Sequence, residues 1–433
     1  MKLIIAWAFI FLIQGCSFAQ KYSFDTFTEN FVKIYRALEI PDLQLSFAEN
    51  FRQIKSSANI QQQLEFFDQV DKELPFYNTK QKNAQQQLDF SLIQYETRLN
   101  KERLVLEKRW VDEKSQGTLP DNLYNLPHGK EWYAYYLKRW TGADVSPDEL
   151  YATGLNEVQR VQKHIDDIRL QSGLSEDSFY HYLNDPSFFY NNQAQVQQSF
   201  ENTKAVILKN ISRLFTVINI PDVGIKKGID ENLVQTPGYY SNNIFYYNYF
   251  DKPYNKRQVD WLFIHEAIPG HHYQTSVAAQ SNRSAVQLLF WYPGFSEGWA
   301  AYTEELGKEL GVYKTPYDEL GKWEWDIVRS VRVLIDIGLN FYGWSDDKAL
   351  ACWNKYIVNQ DAIAMREINR MKRWPAQVIT YKYGAEKIMS WKEKEMQAMG
   401  NAFNIKKFHD KILAHGSLPF FLVERNIFTN TGD

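Results

Sequence analysis

Apolar residues recur at helical spacing along most of this chain, and only one stretch has strand character. That pattern confines the fold to a mostly α assembly with a small β element. Residues 25 to 115 are polar and rich in Gln, Lys and Glu, with apolar positions spaced for one helix face, as in "QQQLDFSLIQYETRLNKERLVLEKRW". They predict two or three amphipathic helices. Turn signals follow at Pro127, Gly129 and Gly142. Ser146-Pro147-Asp148-Glu149 then reads as a capping box with proline in the first turn, opening the helix "YATGLNEVQRVQKHIDDIRL". The strand-like stretch is "TPGYYSNNIFYYNYF", residues 236 to 250, and predicts a short strand or hairpin. Helices are expected beyond it at 258–268, near 294–311, near 318–341 and from Ser345.

The N-terminus "MKLIIAWAFIFLIQGCSFAQ" has Lys2, an apolar run from Leu3 to Ile13, then small residues. A membrane-spanning helix needs about 20 apolar residues, so this run is an export signal. "IQGC" resembles a bacterial lipobox, which would leave Cys16 lipidated and the protein membrane-attached. "SFA" before Gln20 suits ordinary cleavage instead. Either route predicts a periplasmic or outer-membrane-anchored protein. The expected organisation is a signal over 1–19, a helical region over 20–118 and a catalytic domain over 119–433. Only Cys16 and Cys352 exist, so no intramolecular disulfide framework is possible and stability must come from the core. Cys352 reads as a buried helix residue rather than a nucleophile. A net charge of -3, with no run of Lys and Arg, gives no basis for nucleic-acid binding.

The chemistry concentrates in "WLFIHEAIPGHHYQ", residues 261 to 274. His265-Glu266 begins like the zinc-protease signature H-E-x-x-H, but Pro269 stands where the second histidine belongs. In a regular helix His271 would point about 120° away from His265, and His272 would sit about 10 Å up the axis. Zinc–nitrogen bonds of about 2.0–2.1 Å require two ligands within roughly 3.3 Å of each other, so a regular helix fails for both. Pro269 lacks an N–H and clashes with the preceding turn, and Gly270 permits a widened one. A two-residue bulge at Pro269-Gly270 brings His271 to the ligand position, with His272 as the alternative. Three histidines within eight residues, from eight in the whole chain, are poorly explained by packing.

Glu297 in "FSEGWAAYTEEL" lies downstream and resembles the E-G-W-A element carrying the third ligand in gluzincin aminopeptidases. Two histidines, one glutamate and an open position define a catalytic zinc site. Glu266 would be the general base, and Glu304, two helical turns after Glu297, either orients a ligating histidine or is a solvated charge.

Taken together, several segments resemble the bacterial domain-of-unknown-function family 885, placed among gluzincin-type metallopeptidases. They are "LPHGKEWYAYYLKRWTGADVSPDELYATGLNEVQRV", "HEAIPGHHYQ", "WYPGFSEGWAAYTEELGKELGVY", "VRSVRVLIDIGLNFYGWSDDKA" and "PAQVITYKYGAEKI". The resemblance spans roughly residues 120 to 425 and implies a helical zinc-metallopeptidase fold and a hydrolase acting on peptides. Asn340 departs from it, standing where the family is expected often to carry histidine.

The expected reaction has zinc polarise the scissile carbonyl and water, with Glu266 moving the proton to the leaving amine. Tyr381 is the first candidate to stabilise the oxyanion and His272 the second. Arg332 and Asp336, four residues apart, could pair with each other, or Arg332 could hold a substrate carboxylate. The "NNIFYYN" strand, through Tyr246 and Tyr247, could capture peptide along a sheet edge. Two rival readings stand beside this one: an exported peptide- or glycan-binding lipoprotein without catalysis, and a structural zinc site with Glu266 idle.

Overall fold

The computed structural model describes residues 23–77, 83–113, 119–216, 219–230, 233, 236–250, 253–358 and 360–428. The expected export signal and Cys16 lie outside the described residues. Helix accounts for 70% of the structure and strand for 4%, which makes the protein mostly α.

The N-terminal region folds into four helices rather than two or three: α1 Phe24–Ala37, α2 Phe47–Arg52, α3 Ser57–Glu73 and α4 Ala84–Asp112. Pro41 and Pro75 interrupt the helical pattern, since proline has no backbone N–H to continue a helical ladder, and α3 tightens into a 3₁₀ turn at Leu74–Phe76. Each helix opens on a capping side chain, Ser23, Ser46, Ser56 or Asn83, that accepts from a backbone N–H three residues on. These helices share one apolar core with the rest of the chain. The Tyr35 ring meets Phe290 edge-on at 5.1 Å, and the Tyr292 hydroxyl donates to buried Glu96 at 2.8 Å.

Next come α5 Gly129–Thr141, α6 Pro147–Ser172, α7 Glu176–Tyr182 and α8 Gln193–Asn210. The capping box expected at Ser146 and Glu149 is present, with Pro147 in the first turn. Five short strands surround α8: β1 Phe189–Tyr190, β2 Gly224–Lys227, β3 Gly238–Ser241, β4 Ile244–Tyr247 and β5 Tyr254–Asn255. β1 pairs with β5, and the other three form a sheet ordered β2-β4-β3. The expected hairpin is β3–β4, turned by Asn242 and Asn243, which both take positive φ as a tight two-residue hairpin turn requires. β4 is the central strand, flanked in parallel by β2 and antiparallel by β3. Its main chain is already paired on both sides, so Tyr246 and Tyr247 offer no edge for strand addition.

The C-terminal half adds α9 Val259–Glu266, α10 His271–Gln280, α11 Pro293–Thr303, α12 Pro316–Asn340 and α13 Asp346–Tyr356. Then follow α14 Asp361–Arg373, α15 Ile379–Met399, α16 Ile405–Leu413 and α17 Phe420–Phe428. α11 is shorter than expected, giving way at Glu304 to a single 3₁₀ turn. α12 is the spine: every residue from Asp326 to Asn340 is buried. A helix buried all round must find partners for its polar residues. Arg332 pairs with Glu367 of α14 at 2.9 Å and not with Asp336. Asp336 instead accepts from the Tyr133 hydroxyl at 2.7 Å and the Ala376 N–H at 3.0 Å. Asn340 donates to the Asp336 and Met371 carbonyls, a structural role. Cys352 is half-buried on α13, and burial pushes its thiol up to about 11, which suits packing rather than nucleophilic attack.

Candidate metal centre

The turn between α9 and α10 builds the site. After Glu266 the helix stops, and the Gly270 N–H bonds to the Ile264 carbonyl, six residues back instead of four, at 2.9 Å. The Ile268–Pro269 peptide is cis. A Cβ on Gly270 would lie 1.8 Å from the His265 carbonyl oxygen, so only glycine can close this turn. The widening expected of Pro269-Gly270 is therefore present, as a break between two helices. It starts α10 at His271.

His265, His271 and Glu297 each present a ligand atom, and the three atoms lie within 4.8 Å of one another. Glu297 Oε2 is 3.6 Å from His265 Nε2 and 3.4 Å from His271 Nε2, close to the roughly 3.3 Å between ligands of one tetrahedral zinc. The two imidazoles stand nearly perpendicular, 4.9 Å apart. Two imidazoles and a carboxylate are a donor set zinc accepts.

Glu304 does orient a histidine. Its Oε1 lies 2.7 Å from His265 Nδ1, which turns Nε2 toward Glu297. Its Oε2 accepts from Arg329 at 2.6 Å. All three side chains are nearly inaccessible. Burial works against a charge on His265, yet Glu297 and Glu304 outweigh it and lift its pKa to about 9. Burial likewise opposes ionisation of Glu297, but the two histidines hold its carboxyl far below the usual range. A cation replacing those protons meets an environment already arranged for positive charge.

A contact between two glycines fixes α11, which carries Glu297, against α15, which carries Tyr381. A Cβ on Gly298 would lie 2.4 Å from the Gly384 Cα, so α11 and α15 meet backbone to backbone. Trp299 beside it is fully buried, and its indole N–H donates to the Pro269 carbonyl at 2.9 Å. The E-G-W-A element thus braces the Pro-Gly turn as well as supplying Glu297.

Glu266 lies outside the ligand trio but feels it electrostatically. Burial raises its carboxyl pKa, while His265 and His271 pull it back. Tyr381 of α15 stacks on the His265 ring at 6.2 Å. Its hydroxyl receives Arg370 at 3.4 Å and Gln377 at 3.5 Å. His272 does not join the cluster. It is fully buried, with Nε2 2.8 Å from the Pro221 carbonyl and Nδ1 3.1 Å from the Tyr240 hydroxyl. Both nitrogens tie α10 to the β region, which removes His272 as ligand and as oxyanion donor. Sequence reasoning missed Arg329 and Arg370. The signal for Arg329 was its place three residues before Arg332 on the same helix.

The family model described as "Bacterial protein of unknown function (DUF885)" matches residues 36–427. Among curated proteins nothing matches. A solved candidate lipoprotein from Colwellia psychrerythraea superposes with a TM-score of 0.67 at 22% identity, covering 93% of this chain and 73% of the other. A candidate lipoprotein of unknown function from Shewanella oneidensis gives 0.60 at 18%, covering 94% and 79%. Such identities relate the folds alone. Among the described residues no helix is long and apolar enough to cross a membrane.

Proposed function

The chain belongs to the DUF885 family of bacterial proteins of unknown function, and from that premise we propose that it is an exported, gluzincin-like zinc peptidase. One observation carries the reading: His265, His271 and Glu297 gather three ligand atoms in a space that fits one zinc ion. Bound there, zinc supplies Lewis-acid polarisation of a carbonyl and acidifies a coordinated water.

The protein's own groups suit the remaining steps. Structural zinc sites have four protein ligands, and with His272 engaged elsewhere the described residues offer three here, which favours the catalytic reading over idle zinc. Glu266, beside the trio and outside it, takes the proton of the attacking water and delivers it to the leaving nitrogen. Tyr381 faces Arg370 and Gln377 side-chain nitrogens that can only donate, so its own proton is free for an oxyanion. The Lys2-led apolar run and Cys16 support export and lipid attachment, in keeping with the descriptions of the two similar structures.

The test is digestion of a peptide library by the purified zinc-loaded protein, read by mass spectrometry with and without chelator. Cleavage should need the metal, and Glu266→Gln should abolish it while keeping stoichiometric zinc. A protein that holds no zinc, or holds it and leaves the library intact, refutes the reading.

A further inference from the structure

Three arginines, Arg329, Arg332 and Arg370, contact His265 or Tyr381 beside the ligand trio, and they are unequally neutralised. Arg329 is matched by Glu304. Arg332 and Arg370 share one carboxylate, Glu367, at 2.9 and 3.7 Å, and Arg366 reaches it too at 2.7 Å. Burial opposes the charge on Glu367, but the three guanidinium groups hold its carboxyl down at about 2. Arg332 is buried, and its Nε has no hydrogen-bond partner. Glu266, Glu297, Glu304 and Glu367 outnumber Arg329, Arg332 and Arg370 by one, so a bound divalent cation leaves this group positive. A substrate anion would restore neutrality.

Arg370 faces the reacting end of this cluster. Its Nη2 is 3.4 Å from the Tyr381 oxygen, and its side chain is 29% exposed while Arg332 is sealed at 2%. Burial disfavours its charge, but Tyr381, Glu367 and the ligand Glu297 raise its pKa overall. The ligands His271 and Glu297 are each 19% exposed, so a substrate chain can reach the trio and Arg370 from solvent.

Resting on the peptidase reading, we propose that Arg370, backed by Arg332, receives the free C-terminal carboxylate of the substrate, so that the enzyme removes one C-terminal residue at a time. The reach supports a single residue. Successive carbonyl carbons of a peptide lie less than about 4 Å apart. With the Tyr381 hydroxyl on the oxyanion, Arg370 stands about one residue from the cut bond. Releasing a dipeptide would put the carboxylate roughly another 3.5 Å away. The guanidinium fork matches a carboxylate in shape as well as charge. Water attacks the last peptide carbonyl, the C–N bond breaks, and the released amine takes the proton that Glu266 carried.

The test reads binding as well as turnover. Zinc-loaded Glu266→Gln protein is given matched pools of N-acetylated tetrapeptides, one as free acids and one as C-terminal amides, and retained peptides are quantified by mass spectrometry. Free acids should bind roughly 10- to 100-fold more tightly. Arg370→Ala should erase the preference, and Arg370→Lys should restore only part of it. Equal retention of the two forms by the native arginine set, or retention of neither, overturns the proposal. Chelator-sensitive cutting of acids and amides alike at internal bonds also overturns it, yet leaves the peptidase reading standing.

Discussion

Glu304 holds His265 from behind: its Oε1 lies 2.7 Å from Nδ1, and its other oxygen takes a 2.6 Å hydrogen bond from buried Arg329. The contact fixes the imidazole so that Nε2 faces Glu297. Replacing such a support costs roughly 10- to 100-fold in metal affinity. Glu304→Gln keeps the shape but loses the charge, so zinc affinity by competition with a chromophoric chelator should fall by about that factor. Glu304→Ala should additionally destabilise the fold by about 3–5 kcal/mol, because it strands the Arg329 charge. An unchanged zinc affinity in Glu304→Gln would remove the orienting role.

Adjacent histidines have opposite duties. His271 points at Glu297, while His272 bonds Pro221 and Tyr240. His271→Ala should therefore abolish stoichiometric zinc and leave the melting temperature of the metal-free protein nearly unchanged. His272→Ala should keep zinc but lower stability by about 1–3 kcal/mol, since the Tyr240 hydroxyl and the Pro221 carbonyl lose their buried partner. Metal analysis and thermal denaturation of the two variants decide the matter, and loss of zinc in His272→Ala would reverse the assignment.

How much was legible follows from how far a contact reaches along the chain. The choice of His271 came from helix geometry and from what Pro269-Gly270 does to a turn, all within seven residues. Glu304 was legible because it lies two helical turns after Glu297. The partner of Arg332 was not, because Glu367 sits on another helix and a local reading offered only Asp336. The hairpin was readable from its aromatics and asparagines. Its central position was not, because β2 pairs from residues 224–227, a run with no alternation of apolar and polar positions. Whether a strand is an edge depends on neighbours the strand itself does not encode.

Gly298 and Gly384 set the distance between the helix carrying Glu297 and the helix carrying Tyr381. The atoms a methyl would strike are backbone, which cannot swing aside. Gly298→Ala or Gly384→Ala should cost about 1–3 kcal/mol as overpacking, read as a lower denaturant midpoint. Because the helices must part to admit the methyl, cleavage should fall by more than the loss of folded protein explains. Native-like activity per folded molecule would show that the Glu297–Tyr381 spacing is not critical.

His409 makes the fold sensitive to acid away from the candidate metal site. Its Nδ1 is 2.9 Å from the Leu214 carbonyl, which only accepts, so Nδ1 carries the hydrogen. Nε2 must then accept from the Tyr302 hydroxyl at 2.8 Å. Protonating Nε2 breaks that bond inside the core, and burial lowers the pKa to about 3. The folded value lies below the unfolded value of about 6.5, so the stabilising effect is complete above pH 6.5 and is lost as pH falls toward 3. The loss is about 1.4 kcal/mol per pH unit. Between pH 6.5 and 5, where carboxylates with strongly lowered pKa values remain ionised, His409 should remove about 2 kcal/mol. His409→Gln can donate to Leu214 and accept from Tyr302 without titrating. Urea midpoints over that interval should therefore fall less steeply for the variant than for the native chain, and parallel slopes would assign the acid sensitivity to other groups.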